Sequence, residues 1–432
     1  MATSKQLRQQ IQAGEWDGTL RELYGAQEAA LVRQRRRYCE ALSEFERYFG
    51  PGRQVHLYSA PGRTELGGNH TDHQQGFGLA AAVDLDLVAV ACPGTDGYIR
   101  VKSRGFNKLD VIDLSQQGLQ TGEGTHSASL IRGIAEGFQA QGAKVGGLDL
   151  YTTSDVLRGS GLSSSAAFEV VIGTVFNGEY NQGRFSAVDI AKISQYAENE
   201  YFGKPSGLMD QTACSVGSVI TIDFRDPASP VVEKVDFDLA KHDYCLCITD
   251  RKGSHASLTD EYAAVRQEME AVAAYFDKSV LREVDESAFY ADIAGVREKL
   301  GDRAVLRAIH FFADSRRAGA LCSAIREDRF EDFLELIVAG GHSSFEYNQN
   351  AYSAKNPREQ GVSLGLALSQ HILEGYGAWR LQGGGFAGTI QAFVPVHLLE
   401  AYRAAMDSVF GEGSCYVLNV RNYGALCVTE AL

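Results

Sequence analysis

The apolar positions along the chain change period several times, and each change marks an element. From Leu20 to Phe49 they fall on helical spacing, clearest at Tyr38, Ala41, Leu42, Phe45 and Tyr48, until "GPG" at 50–52 ends the run. Val55 and Leu57 then alternate with polar neighbours as a short strand does, and residues 78–92 form a longer β-rich run. The polar, glycine-rich stretch 62–76 between them is predicted as a loop joining two strands. A strand follows at 148–156, and a loop of small residues then passes into a helix from near Ser164. Further strands are predicted at 218–224 and 244–250. A helix at 258–276 carries Tyr262, Val265, Met269 and Val272 on one side, and more helical segments fill 286–340 and about 360–375. Towards the end, "AWRLQGGGFAGTIQAFV" reads as two apolar runs around a glycine turn, before a helix in "HLLEAYRAAMDSVF" and a β-like "SCYVLNV". Strands and helices interleave without a regular βαβ repeat, which predicts an α+β fold.

Length turns this string of elements into an architecture. The chain has 432 residues, too many for one typical core, so two lobes of roughly 200 residues are expected, with the change near 215–245. Hydrophobic residues make up 44% and charged residues 22%, a globular rather than disordered balance. The net charge of -14 leaves no basic stripe to displace counterions from a phosphate backbone, which argues against nucleic acid as partner. The one dense basic run, "RQRRR" at 33–37, lies in a helical pattern and reads as a solvated face. Eight scattered cysteines with no C-x-x-C pair read as reduced, mostly buried thiols. The amino terminus has no apolar signal core, and the most apolar stretch carries Asp84 and Asp86, so a cytoplasmic protein with no membrane partner is expected.

Four stretches carry candidate chemistry. In "RGSGLSSSAAFE" at 158–169, Gly159 and Gly161 allow backbone N–H groups to turn inward, while Ser163, Ser164 and Ser165 add hydroxyls where a helix begins. Those are the parts of a phosphate cradle; a plain Ser-rich N-cap needs only one of the serines. No G-x-x-x-x-G-K-[ST] is present, which excludes a P-loop. "GGGFAG" at 383–388 matches G-x-G-x-x-G, but a strand-like run follows where a dinucleotide site needs a helix, leaving a plain turn or a glycine hairpin approaching a ligand. "SGLMDQTACSVG" places Asp210 among small and apolar residues, either as a satisfied structural carboxylate or as a catalytic one with Arg63 as its partner. In "GRTELGGNHTDHQQG" at 62–76, His70, Asp72 and His73 fall short of metal-ligand spacing, and no G-x-S-x-G elbow supports a serine hydrolase.

Taken in order, "APGRTELGGNHTDHQQG", "GSGLSSSAA", "ENEYFGKPSGLMDQ", "LTDEYAAVR" and "LQGGGFAGTIQAFV" resemble the GHMP family of small-molecule kinases, most closely its galactose-phosphorylating branch. The similarity runs from about residue 40 to the end and does not explain the first 25 residues. It implies a two-lobed α+β fold with the active site between lobes: an extension at 1–25, an N-terminal lobe at 26–230 and a C-terminal lobe at 231–432. It further implies that Asp210 is the base for the sugar C1 hydroxyl and that Arg63 lowers the base's pKa and stabilises the transferred phosphate. Gly159, Ser160, Gly161, Leu162, Ser163, Ser164 and Ser165 would cradle the phosphates of ATP, the co-substrate, with Ser165 and Glu198 holding Mg2+. Asn69, His70, Thr71, Asp72 and Tyr262 would line the sugar, and Gly384 and Gly385 would close around the substrates.

This chain departs from the family at two positions, having Asn69 where a glutamate usually faces the galactose C6 hydroxyl and His73 where a tyrosine is usual. An amide still hydrogen-bonds a hydroxyl. A glutamate about 4 Å from a C6 carboxylate would cost about 4 kcal/mol at an effective dielectric near 20, a penalty the amide does not impose. The resemblance thus implies a galactose 1-kinase. The alternatives are a kinase of another sugar or sugar acid such as galacturonate, and a non-catalytic sugar-responsive regulator.

Overall fold

The computed structural model describes residues 2–156, 159, 161–204, 206–251, 258–386 and 388–430. Its strands fall into two sheets. The larger holds β1 (Ala2–Thr3), β2 (Gln54–Gly67), β3 (Phe77–Pro93), β4 (Tyr98–Ser103), β5 (Asp110–Asp113), β6 (Leu148–Ser154), β7 (Val219–Asp223) and β8 (Val231–Val235). The smaller holds β9 (Tyr244–Asp250), β10 (Ala378–Gln382), β11 (Thr389–Pro395) and β12 (Cys415–Leu418), in the order β10-β11-β9-β12. A last strand, β13 (Leu426–Cys427), returns to pair with β2 of the larger sheet. The pairings are antiparallel except β4 with β6. The chain is α+β, as its segment order predicts.

Helices cover both faces of the larger sheet, and strand alternation decides which residue meets which layer. Val88 and Val90 of β3 join Val55 and Leu57 of β2 on one face, whereas Leu87, Ala89 and Ala91 join Tyr58 and Ala60 on the other. The first face is covered by α1 (Ser4–Gln12), α2 (Asp17–Tyr24) and α3 (Glu28–Phe49), whose Leu7, Ile11, Leu20, Tyr38, Leu42 and Phe45 are buried. The residues before 26, for which the family resemblance offers no counterpart, are therefore part of a core. The opposite face meets α4 (Ser127–Ala140), α5 (Ser164–Asn181) and α6 (Ala187–Tyr196), followed by a π-helical turn at Ala197–Tyr201 and α7 (Met209–Val216). Around the smaller sheet and across the cleft lie α8 (Thr259–Tyr275), α9 (Glu286–Ala291), α10 (Ile293–Leu300), α11 (Asp302–Arg326), α12 (Phe330–Ser343), α13 (Gly361–Leu373) and α14 (Leu399–Phe410).

Three expectations are corrected. The helical run expected from Leu20 to Phe49 breaks at Gly25, whose positive φ of 87° ends α2. The stretch 62–76 is not all loop, because β2 continues to Gly67 and carries Arg63 and Glu65 on a strand. Its register slips between Pro61 and Arg63 and again between Glu65 and Gly67, irregularities that re-aim side chains on either side of Arg63. Finally, the basic run on α3 is not uniformly solvated. Arg37 is buried and its guanidinium pairs with Asp86, while Arg33, Arg35 and Arg36 pair with acids nearer the surface.

Candidate active site

Three segments far apart in sequence meet at one carboxylate. Asp210, in the first turn of α7, accepts from Arg63 Nε at 2.8 Å and Nη2 at 2.7 Å through Oδ1, and from Ser163 Oγ at 2.6 Å through Oδ2. Both guanidinium nitrogens converge on the one oxygen, Oδ1, which leaves Oδ2 to Ser163. Burial pushes the Asp210 pKa up, but Arg63 and the Ser163 hydroxyl outweigh it and hold the group below the usual carboxylate range. Its side chain keeps 39% exposure against 7% for Arg63, so the carboxylate opens to the cleft while its partner is walled in. Arg63 Nη1 also donates to the Gly161 carbonyl, which accepts Gln382 Nε2 at 2.8 Å from the other sheet. One arginine therefore links Asp210, the glycine–serine loop and, through the shared carbonyl, the glycine hairpin.

That loop does not end in an ordinary side-chain cap. Ser163 precedes α5 in a left-handed conformation (φ 59°, ψ 52°) and makes no side-chain cap, its hydroxyl being committed to Asp210. Ser164 and Ser165 lie in the first helical turn, where N–H groups lack intrahelical acceptors and the helix dipole is positive. Ser165 is exposed, and Leu162 is buried with its carbonyl accepting Arg63 N at 3.1 Å. Gly159 takes a positive φ of 73°; Ser160 lies outside the described residues. Below the loop, Glu198 in the π-turn is buried, accepting from Lys204 Nζ at 2.7 Å on Oε1 and from Gln211 Nε2 at 2.9 Å on Oε2. Gln211 Nε2 also donates to Glu169 Oε2 at 3.1 Å, while Glu169 Oε1 and Gln211 Oε1 have no partner among the described residues. Burial, with Glu198 nearby, raises the Glu169 pKa well above the usual range. No group of three or more His, Cys, Asp or Glu side chains among the described residues forms a metal cluster.

On the other side of Asp210 the turn after β2 supplies polar groups of two kinds. Asp72 makes no ion pair; it accepts His73 N at 2.8 Å and lies against Gly207, where any Cβ would stand 1.6 Å from Oδ2. Burial and then the Asp210 charge lift its pKa to about 6. The His70 Nε2–H donates to the Gly384 carbonyl at 3.1 Å, and burial lowers this imidazole to about 4, so it is neutral with Nδ1 as acceptor. His73 packs edge-on to His70 at 5.7 Å, and its buried Nε2 has no partner. Tyr262 donates to the Gly385 carbonyl at 2.9 Å. Glycine is required in that hairpin, because a Cβ on Gly384 would reach Tyr262 at 2.7 Å and one on Gly385 would reach the Asn350 carbonyl oxygen at 2.1 Å.

Two residues expected to face a sugar do not. Asn69 is 1% exposed. Its Nδ2 donates to Glu65 Oε1 at 3.0 Å and to the Gly383 carbonyl at 2.7 Å, while its Oδ1 accepts Asn350 Nδ2 at 2.9 Å. An amide saturated inside the protein offers nothing to a ligand. Thr71 is fully buried with its hydroxyl shared between the Gly68 and Phe77 carbonyls, closing the turn. The sequence also gave no role to Glu65, whose carboxylate meets Arg380 at 2.8 Å and which burial raises to about 7. Nor did it mark His310 and Asp314, which hold the Asn69 backbone carbonyl and N–H at 2.9 and 2.6 Å. Glu169 was the findable one: the single carboxylate within the apolar run 166–176 of α5.

Comparison with known proteins places the chain at two levels, fold and family. The family described as the GHMP kinases N terminal domain matches residues 129–218, α4 through α7, and the galactokinase galactose-binding signature matches residues 43–93, which include β2 and β3. In overall fold, the chain matches Lactococcus lactis galactokinase complexed with galactose at a TM-score of 0.77 and 23% identity, covering 89% of this chain and 98% of that one. It matches Methanococcus jannaschii mevalonate kinase at 0.58 and 14%, covering 86% and 99%. The fold is thus the GHMP kinase fold. The galactokinase of Streptomyces coelicolor is 30% identical over 359 residues, 82% of this chain and 88% of that protein, and the chain belongs to the galactokinase family.

Proposed function

We propose that the protein transfers the γ-phosphoryl group of ATP to the anomeric C1 hydroxyl of galactose, giving galactose 1-phosphate. The observation that carries the reading is the Arg63–Asp210–Ser163 contact: an ionised, cleft-facing carboxylate at the mouth of an anion-binding loop. Asp210 accepts the C1 proton. Its lowered pKa makes it a weak base, which suits a loose phosphoryl transfer in which the attacking hydroxyl needs orientation more than early deprotonation. Arg63 orients Asp210 and offsets charge on the transferring group. Gly159, Ser160, Gly161, Leu162 and Ser163–Ser165 receive the ATP phosphates. Asp72 and His70 accept from sugar hydroxyls, and Tyr262 holds the Gly384–Gly385 hairpin over the substrates.

Mg2+ fits the residues present. Glu198 is a buried carboxylate already matched with a cation, the Lys204 ammonium, and Ser165 adds an exposed hydroxyl; a hard ion that keeps much of its water needs few protein oxygens beyond the nucleotide's own. Glu198 and Ser165 would hold it, and it would neutralise phosphate charge. The eight unpaired cysteines support a cytoplasmic enzyme, and no described helix is long and apolar enough to cross a membrane. The test is turnover with ATP on galactose, galacturonate and N-acetylgalactosamine. The account expects galactose to be phosphorylated at C1 in preference to both; phosphorylation of galacturonate without galactose would overturn it.

A further inference from the structure

The two oxygens of Glu198 are held in opposite ways. Oε2 is fixed by Gln211, which is buried and adjoins the base Asp210 on α7. Oε1 is held by Lys204, whose side chain is 58% exposed while that of Glu198 is 3% exposed. The lysine's backbone is anchored, its N–H donating to the Glu198 carbonyl at 3.1 Å, so the side chain is a tethered arm over a buried acid. Gln211 Nε2 is shared by two buried carboxylates, Glu198 at 2.9 Å and Glu169 at 3.1 Å, and a cation on Glu198 offsets the negative charge gathered there when no nucleotide is bound. A four-carbon arm whose side chain is more than half exposed can leave that position with little repacking, whereas a buried guanidinium such as Arg63 cannot.

We propose that Lys204 is a displaceable placeholder for the metal: it neutralises Glu198 in the empty enzyme and yields Oε1 when the metal–nucleotide complex arrives, its ammonium then turning towards the nucleotide phosphates. This rests on the reading of Glu198 as a metal ligand. It makes the lysine a regulator of metal–nucleotide coupling, a property distinct from the transfer chemistry.

Calorimetric binding of a non-hydrolysable ATP analogue, with Mg2+ and with the metal chelated, measures that coupling as the ratio of the two affinities. The full-length protein is used. Lys204→Met removes the competitor and is expected to raise the ratio about fivefold, the equivalent of the ~1 kcal/mol upper range of a half-exposed ion pair. Lys204→Arg keeps a competing cation and is expected to leave the ratio at the wild-type value. A ratio in Lys204→Met equal to or below wild type overturns the proposal, as does Lys204→Arg behaving like Lys204→Met. Glu198→Gln separates the two readings. If it leaves the ratio unchanged, Glu198 is not the metal's ligand and both readings fall. If it collapses the ratio while Lys204→Met does not raise it, the lysine's role alone falls.

Discussion

The protein contains two arginine–aspartate centres built from the same groups, one on each side of the larger sheet. At Asp86, Arg37 donates at 2.5 Å and Arg421 at 3.1 Å, Tyr24 adds a hydroxyl at 2.6 Å, and Ser59 adds another. The aspartate and Arg421 are fully buried. Burial would raise the Asp86 pKa, yet the two guanidiniums hold it below the usual range, as Arg63 does for Asp210. The titration behaviour of the two acids is thus alike, and it does not tell which one does chemistry. What differs is satisfaction and access. Asp86 is ringed by donors from four parts of the chain and has no room for another. Asp210 has one arginine, one serine and an open side towards the cleft. A perturbed pKa marks a strongly interacting group; an acid that also keeps an exposed side, as Asp210 does, is the one able to meet a substrate.

The comparison breaks most sharply in stability. Asp86→Ala strands two buried guanidiniums and is expected to cost about 3–5 kcal/mol in urea unfolding, whereas Asp210→Asn, with a half-open pair, is expected to cost about 1 kcal/mol or less. Equal losses would mean that the two centres are both structural. Next in size, Arg63→Lys keeps the charge but not the fork that holds Asp210 and the Gly161 carbonyl together; kcat is expected to fall about a hundredfold, with the unfolding midpoint little changed. Asn69→Ala removes donors to Glu65 and Gly383 and the acceptor for Asn350, and is expected to cost about 1–3 kcal/mol of stability. Its effect on relative turnover of galactose and galacturonate should be small, because the amide does not reach the sugar.

The smallest effect concerns pH. If Asp72, raised to about 6, receives a sugar hydroxyl as proposed, it accepts best when ionised, so kcat/KM for galactose should fall as pH drops through that value, by about tenfold per unit. Asp72→Asn should lose that limb while retaining the flat region above it. Asp210, held below the usual range, contributes no limb near neutrality. A limb at about 6 that survives in Asp72→Asn would assign the titration elsewhere.

How much of this was legible in the sequence follows the range of the interactions. Period and turn residues revealed the α+β order, the helix now seen at Thr259–Tyr275 and the β10–β11 hairpin, because these depend on neighbours within a few positions. The segments carrying Arg63, Ser163 and Asp210 were recognisable from local chemistry, but their convergence at 2.6–2.8 Å was not. Arg37 looked solvated because its partners, Asp86 and the Thr153 carbonyl, lie 49 and 116 positions away along the chain. Asn69 looked like a sugar contact because its neighbours suggest one; its amide turns inward towards Asn350 and Gly383, which only the packing of one sheet against the other brings near.

The account's central claim is that Asp210, not the better-satisfied Asp86, carries the chemistry. The most direct measurement is the rate at which Asp210→Asn forms galactose 1-phosphate at saturating ATP and galactose, followed by phosphorus NMR on protein shown to be folded and to bind galactose. The account predicts a kcat lower by about a hundredfold or more. A kcat within about twofold of wild type, far inside the effect of losing a general base, would contradict it.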